Sequence, residues 1–225
     1  MAFALLQSLS QWYKAREAAK RRWSQFDYLV LDMETSGLDG KQDQIVSVGW
    51  VCIHRGEIQL DSARHIVLEK VAVGDSVGIH MITEADVLSQ GKRQLSVLRY
   101  LRHLLRQRIL VVHHAPMELG FLKPAWQTEG LKAFSVSWLD TLAIERGRAQ
   151  RSQQPIQEGG FRLAASRARY GLPEYQGHDA LTDALATAEL LLAQAAHLGK
   201  DCRLIDLQQL GGGRARFTSP DRARS

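Results

Sequence analysis

Apolar residues cluster into runs along residues 27–200, and their spacing predicts an alternation of strands and helices. Residues 28–33 and 45–53 read as buried strands, and Gly56 to Leu60 completes a hairpin through the turn at Arg55-Gly56. A further strand is expected over 64–68, a capped short helix over 83–89, and a longer helix marked by Leu95, Leu98, Leu101 and Leu105. On that helix Arg99, Arg102 and Arg106 fall on the outer side. A short apolar strand at 109–112 precedes a helix opening at Pro116, a strand near 135–138, and helices to the end of the body. A strand meander followed by alternating strands and helices implies an α/β class, with a mixed sheet covered by helices.

Both ends differ from this body. Residues 1–26 read as an amphipathic basic helix with Leu5, Leu9, Trp12, Ala19 and Trp23 on one side and Lys14, Lys20, Arg21 and Arg22 on the other. That stripe either docks on the main domain or engages a protein partner, a membrane surface or nucleic acid. Residues 201–225 hold Gly211-Gly212-Gly213 and then mostly polar or basic residues, the pattern of a flexible basic tail. The Gln-rich stretch 148–160, ending in Gly-Gly, reads as a flexible loop.

Composition narrows the function classes. The 225 residues are 45% hydrophobic and 24% charged, as in an ordinary globular protein. No apolar run approaches a membrane span, and the opening residues lack the basic region of a signal peptide. Two cysteines, Cys52 and Cys202, make a disulfide framework unexpected and point to the reducing cytoplasm. A net charge of +5 favours an anionic partner, nucleic acid first among them.

Three segments carry candidate chemistry. Asp32 and Glu34 stand two apart at the end of the first strand, so both carboxylates project from one face. Burying them together is costly unless a cation sits between, and a divalent ion with oxygen ligands meets that cost. Alternatively, the strand ends at Leu31 and the acids lie in an exposed turn. The second segment, His113-His114-Ala115-Pro116-Met117-Glu118, puts Glu118 in the first turn of a helix, where it serves either a site or the helix dipole. In the third, His178 and Asp183 converge if His178 lies in a loop, Asp179 caps the helix and Asp183 occupies its first turns. An exposed histidine beside a capping aspartate is the other reading.

Together these segments resemble the DEDDh family of 3′–5′ exonucleases, which includes the proofreading epsilon subunit of the bacterial replicative polymerase. Asp32-Met33-Glu34-Thr35-Ser36-Gly37, the segment from His113 to Leu122, and His178-Asp179-Ala180-Leu181-Thr182-Asp183-Ala184 stand in the family's order. Lesser echoes are Ile79-His80-Met81-Ile82-Thr83, Asp140-Thr141-Leu142 and Tyr170-Gly171-Leu172-Pro173. The likeness covers about residues 27–195. It implies a ribonuclease H-like fold and two divalent ions, Mg²⁺ or Mn²⁺, held by Asp32, Glu34, Glu118 and Asp183, with His178 as general base. It further implies a substrate with a free 3′ end, single-stranded DNA foremost, whose terminal nucleotide is held by Thr35, Ser36, Gly37, Leu38, His80, Met81, Ile82, His114 and Phe121. Four positions depart from the family pattern: Glu118 replaces an Asp, His114 an Asn, Met117 a Phe and Met81 a Gly. An RNA-trimming exoribonuclease and a catalytically weak nucleotide-binding or partner module are the rival readings.

Overall fold

A computed structural model describes residues 17–69, 71, 82–152 and 159–219. Strands β1 (Tyr28–Thr35), β2 (Ile45–His54) and β3 (Glu57–Val67) form an antiparallel meander. Helices α1 (Glu84–Gln90) and α2 (Gln94–Leu105) lead to β4 (Ile109–Val112), and α3 (Ala115–Thr128) leads to β5 (Phe134–Asp140). Helices α4 (Thr141–Ser152), α5 (Leu163–Ala168), α6 (Ala180–His197) and α7 (Leu204–Gly211) follow, and β6 (Gly212–Phe217) ends the described chain. The sheet order is β3-β2-β1-β4-β5-β6, with β4 and β5 parallel to β1 and β6 antiparallel to β5. This is the mixed α/β sheet expected from the pattern.

The alternation along β1 assigns its two faces. Leu29, Leu31 and Met33 pack with residues of α2 and α3, including Leu98, Leu101, Leu119 and Trp126. Tyr28 and Val30 turn the other way, against Ala188, Leu191 and Ala195 of α6 and Leu204 and Leu207 of α7. Asp32 and Glu34 continue this second series, so strand periodicity sends both carboxylates toward α6. The hairpin turn has Arg55 at φ 52° and Gly56 at φ 79°, the pair of positive values a type I′ turn requires. Two separate strands were expected after it; one continuous β3 is found. Its register shifts between Trp50 and Cys52, where the Ser62 hydroxyl accepts from the Cys52 amide at 2.8 Å and donates to the Gln59 carbonyl at 2.6 Å.

Both ends depart from expectation. The helix anticipated over 1–26 is not continued past residue 18, and residues 1–16 lie outside the described residues. Instead Arg22 bridges Arg203, and Trp23–Gln25 forms a single 3-10 turn. The reason is competition for backbone partners: the amides of Leu204 and Ile205 donate to the carbonyls of Arg21 and Ala19, and the Trp23 amide donates to Cys202. Trp23 nevertheless docks on the domain, 6.1 Å from the Tyr28 ring. The tail expected to be mobile is ordered through Ser219. Leu204 and Leu207 face the core, and Ala215 and Phe217 alternate inward along β6, with Phe217 stacked on Phe134 at 4.6 Å. Its glycines serve close packing: a Cβ at Gly211 would overlap the Ile144 amide, and one at Gly213 the Trp138 ring. The expected loop over 148–160 is helical to Ser152, since α4 extends that far; residues 153–158 lie outside the described residues. Among the described residues, no helix is long and apolar enough to cross a membrane.

Candidate active site

Strand β1 runs on to Thr35, so Asp32 and Glu34 lie in the ladder and not in an exposed turn. Asp183 reaches them from the first turn of α6. The helix begins where Asp179, in extended conformation, accepts hydrogen bonds from the Thr182 amide at 2.8 Å and hydroxyl at 2.9 Å. One oxygen from each of Asp32, Glu34 and Asp183 lies within 4.8 Å of the others. Gly49 permits this approach. It pairs with Asp32 across β1 and β2, and a Cβ there would overlap the Ala180 carbonyl carbon and the Leu181 nitrogen. The start of α6 thus rests directly on the sheet beside Asp32. Gly49→Val is expected to lift α6 and part Asp183 from Asp32, lowering divalent-cation affinity at least about tenfold, as loss of a supporting contact does in metal sites. Titration of Mn²⁺ against the folded variant checks this; unchanged affinity would mean that Gly49 does not set the site.

Glu118 enters from α3. It is 5% exposed, and among the described residues its Oε2 has no hydrogen-bond partner. The helix start that carries it is fixed by Asp140 at the end of β5, whose carboxylate accepts from the amides of His114 at 3.0 Å, Ala115 at 2.8 Å and Leu142 at 2.9 Å. One buried carboxylate therefore anchors the starts of α3 and α4 together, with His114 in the left-handed region at φ 91°. Sequence reasoning registered Asp140 only as an echo of a motif.

His178 lies in the loop before α6, exposed, at φ 71°. Its amide donates to Asp183 Oδ2 at 3.3 Å. The loop is tied down by Arg167, 3% exposed, which donates to the Ala186 and Pro173 carbonyls at 2.7 and 3.1 Å and lies 4.9 Å from the centre of the Tyr175 ring. The Tyr175 hydroxyl lies beside Asp183. Neither Arg167 nor Tyr175 belonged to the expected site, because a buried arginine inside a short helix gives no periodic signal.

The electrostatics are those of uncompensated anions. Burial, then the neighbouring carboxylates of Glu118, Asp183 and Glu34, hold Asp32 well above the usual carboxylate range. Burial and the charges of Asp183 and Asp179 push Glu34 up to about 7. Glu118 is raised chiefly by burial, then by Glu34 and Asp140, and Asp183 by burial against the opposing hydrogen bonds from His178 and Tyr175. Clustered carboxylates with buried, unpartnered oxygens on Glu118 and Asp183 suit hard divalent cations, which take all-oxygen ligand sets.

The sign of the resulting pH dependence follows. Folded Glu34 holds a proton up to about pH 7, whereas an ordinary glutamate releases it near 4.5, so the folded state gains stability as pH falls through 7. His113 opposes this at lower pH. Burial lowers it to about 4, so stability is lost as pH falls from 6.5 toward 4. Between pH 8 and 6.5 the carboxylates dominate. In EDTA the melting temperature is expected to rise by about 3 °C or more over that descent. Mn²⁺ should raise it more at pH 8 than at 6.5, and Asp183→Asn should melt no lower than wild type in EDTA. A metal-free protein equally stable at pH 8 and 6.5 would show that the cluster carries no such repulsion.

The residues expected at the 3′-terminal nucleotide divide. Thr35 donates to the Gly37 carbonyl at 2.6 Å, and Ser36 pairs with Gln44 through its backbone and hydroxyl. Gly37 packs against Asp43, and Leu38 stands 85% exposed beside the acids' strand end. His114 is exposed. Phe121 is 3% exposed, because α3 turns it into the core with Leu119 and Leu122. Ile82 is buried with Val46, Val67 and Val87. His80 and Met81 lie outside the described residues.

Residues 29–191 match the model of the RNase_T family, described as exonuclease. The PolC-type DNA polymerase III of Staphylococcus epidermidis is 26% identical over 166 residues, which are 73% of this chain and 11% of that protein. The corresponding polymerase of Staphylococcus aureus matches to the same extent, so the chain spans about a tenth of the length of these relatives. Among solved structures, exonuclease X in complex with 5′-overhanging duplex DNA covers 81% of this chain and 98% of its own at 21% identity and a TM-score of 0.60. Exonuclease I covers 76% of this chain and 41% of its own at 16% identity and a TM-score of 0.65. A 3′-exonuclease recognising the histone mRNA stem-loop covers 86% and 74%, at 15% identity and a TM-score of 0.60. These likenesses show a shared fold, and with a family model matched across most of its length the chain belongs to the RNase_T exonuclease family.

Proposed function

We propose that the chain is a metal-dependent 3′–5′ exonuclease that releases nucleoside monophosphates from the 3′ ends of nucleic acid, DNA favoured. The observation that carries this is the convergence of Asp32, Glu34 and Asp183 within 4.8 Å, with Glu118 buried beside them and, among the described residues, no Lys or Arg ion-paired to any of them. Asp32, Glu34, Asp183 and Glu118 would hold two ions, Mg²⁺ or Mn²⁺. When bound, such ions supply Lewis-acid stabilisation of phosphate charge and lower the pKa of water. The rest falls to the protein. His178, exposed at the rim beside Asp183, would take the proton of the attacking water, the role a positioned imidazole commonly fills. The His178 amide orients Asp183. Exposed Leu38 and His114, with the backbone of Ser36 and Gly37, bracket the terminal nucleotide. Hydrolysis adds water across the last phosphodiester, leaving a 5′-monophosphate and a new 3′-hydroxyl.

The polymerase relatives favour DNA; the histone mRNA exonuclease among the structural neighbours supports RNA as a second reading. The test uses 5′-labelled DNA and RNA strands of one sequence, each with a free or a blocked 3′ end, in Mg²⁺. Stepwise shortening of free-ended strands, faster on DNA, is expected. Faster shortening of RNA would transfer the assignment to an exoribonuclease, and equal attack on blocked ends would contradict 3′ polarity.

A further inference from the structure

Away from the carboxylates, α4, α6 and α7 line an open hollow of about 720 Å³. Its lining includes Arg148, Arg151, Arg169, Tyr170 and His197, with Glu145 its single carboxylate among the described residues. His197 is fourteen residues along α6 from Asp183, about 21 Å at 1.5 Å per residue, so this hollow is separate from the site above.

Glu145 is 4% exposed and organises the wall. It accepts from Arg148 at 3.4 Å, Arg169 at 3.1 Å, Gln194 at 3.0 Å and the Tyr170 hydroxyl. Arg148 also lies 5.3 Å from the centre of the Tyr170 ring, and Tyr170 meets His197 edge-on at 5.7 Å. One guanidinium neutralises one buried carboxylate, yet three line this cavity. Asp206, close enough to Arg151 to feel its charge, is already bound to Arg203. Among the described residues the cavity wall therefore keeps an excess of positive charge; Arg169 spends its donors on Glu145, Gly160 and Ser166, so the donors that remain are those of Arg148 and Arg151. Two aromatic rings held beside fixed arginines match a ring-bearing phosphate ester: guanidinium for phosphate, ring faces and edges for a base. The volume falls in the range of small-ligand pockets.

We infer that this hollow is a second, non-catalytic site for a nucleoside monophosphate, with its phosphate on Arg148 and Arg151 and its base against Tyr170 and His197. The choice of a nucleotide over another aromatic phosphate ester rests on the exonuclease reading, whose product is of this class.

The test is calorimetric titration of deoxyadenosine monophosphate into the full chain in EDTA, where the carboxylate cluster repels phosphate and the proposed reaction cannot run. Saturable binding with a Kd below about 1 mM is expected. It should weaken about tenfold or more in the surface double variant Arg151→Glu/His197→Ala at unchanged melting temperature, the weight of a lost charge-assisted hydrogen bond. Adenosine and inorganic phosphate should each bind at least about tenfold more weakly than the nucleotide. No saturable binding, equal affinity in the double variant, or inorganic phosphate binding as well as the nucleotide would each overturn the inference. Because binding is read without turnover, a chain that leaves nucleic acid intact would fail the exonuclease reading and still pass or fail this one independently.

Discussion

Glu118→Gln is expected to be nearly inactive with either Mg²⁺ or Mn²⁺, losing about 10²-fold or more, while Glu118→Asp stays substantially active, at least with Mn²⁺. Glu118 is buried in α3, its Oε2 has no protein partner, and it raises Asp32 more than any other charge does. Such a carboxylate is useful only if a cation approaches it. Gln keeps the volume but removes the anion, leaving bound cations less neutralised. Asp keeps the anion and shortens the reach by one methylene, which a larger, less exacting ion than Mg²⁺ tolerates better. Steady-state rates with both metals check this, beside melting temperatures in EDTA, where Gln should not destabilise. If Gln is tolerated as well as Asp, Glu118 is only an acid at a helix start.

His178→Ala is expected to lower turnover by about 10²–10⁴-fold, the weight of a positioned general base. The structure separates this effect from stability and metal binding. The ring is exposed, so little packing is lost, and the bond to Asp183 comes from the backbone amide, which alanine retains. The left-handed φ of 71° strains alanine about as it strains histidine, so the fold should hold. Cation-induced stabilisation should survive in the variant while kcat falls. Wild-type turnover would remove His178 from the chemistry.

Much of this arrangement was legible in the sequence because it follows from local periodicity. The alternation Leu29, Val30, Leu31, Asp32, Met33, Glu34 dictates which face bears the acids. The requirement that His178 precede the helix follows from its five-residue spacing to Asp183, which leaves Asp179 in place to cap it. What escaped was decided by tertiary contacts. Gly49 reads as an ordinary glycine in an apolar strand until α6 is seated on it. Arg167 reads as one more surface charge, yet it is buried beneath Tyr175. The glycines at 211–213 suggested mobility, although the alternation of Arg214, Ala215, Arg216 and Phe217 that follows them is a strand pattern. Phe121 was assigned to the nucleotide by resemblance, and its burial among Leu119 and Leu122 is set by helical packing that the motif does not display.

The most direct test of the central claim is the identity of the first product released from a 3′-terminally labelled single strand of DNA. With Mg²⁺ the account predicts labelled mononucleotide at the earliest times, none in EDTA, and none from Asp183→Asn that still melts at or above the wild-type temperature. A labelled oligonucleotide as the first product, or release that persists in EDTA or in folded Asp183→Asn, would contradict it.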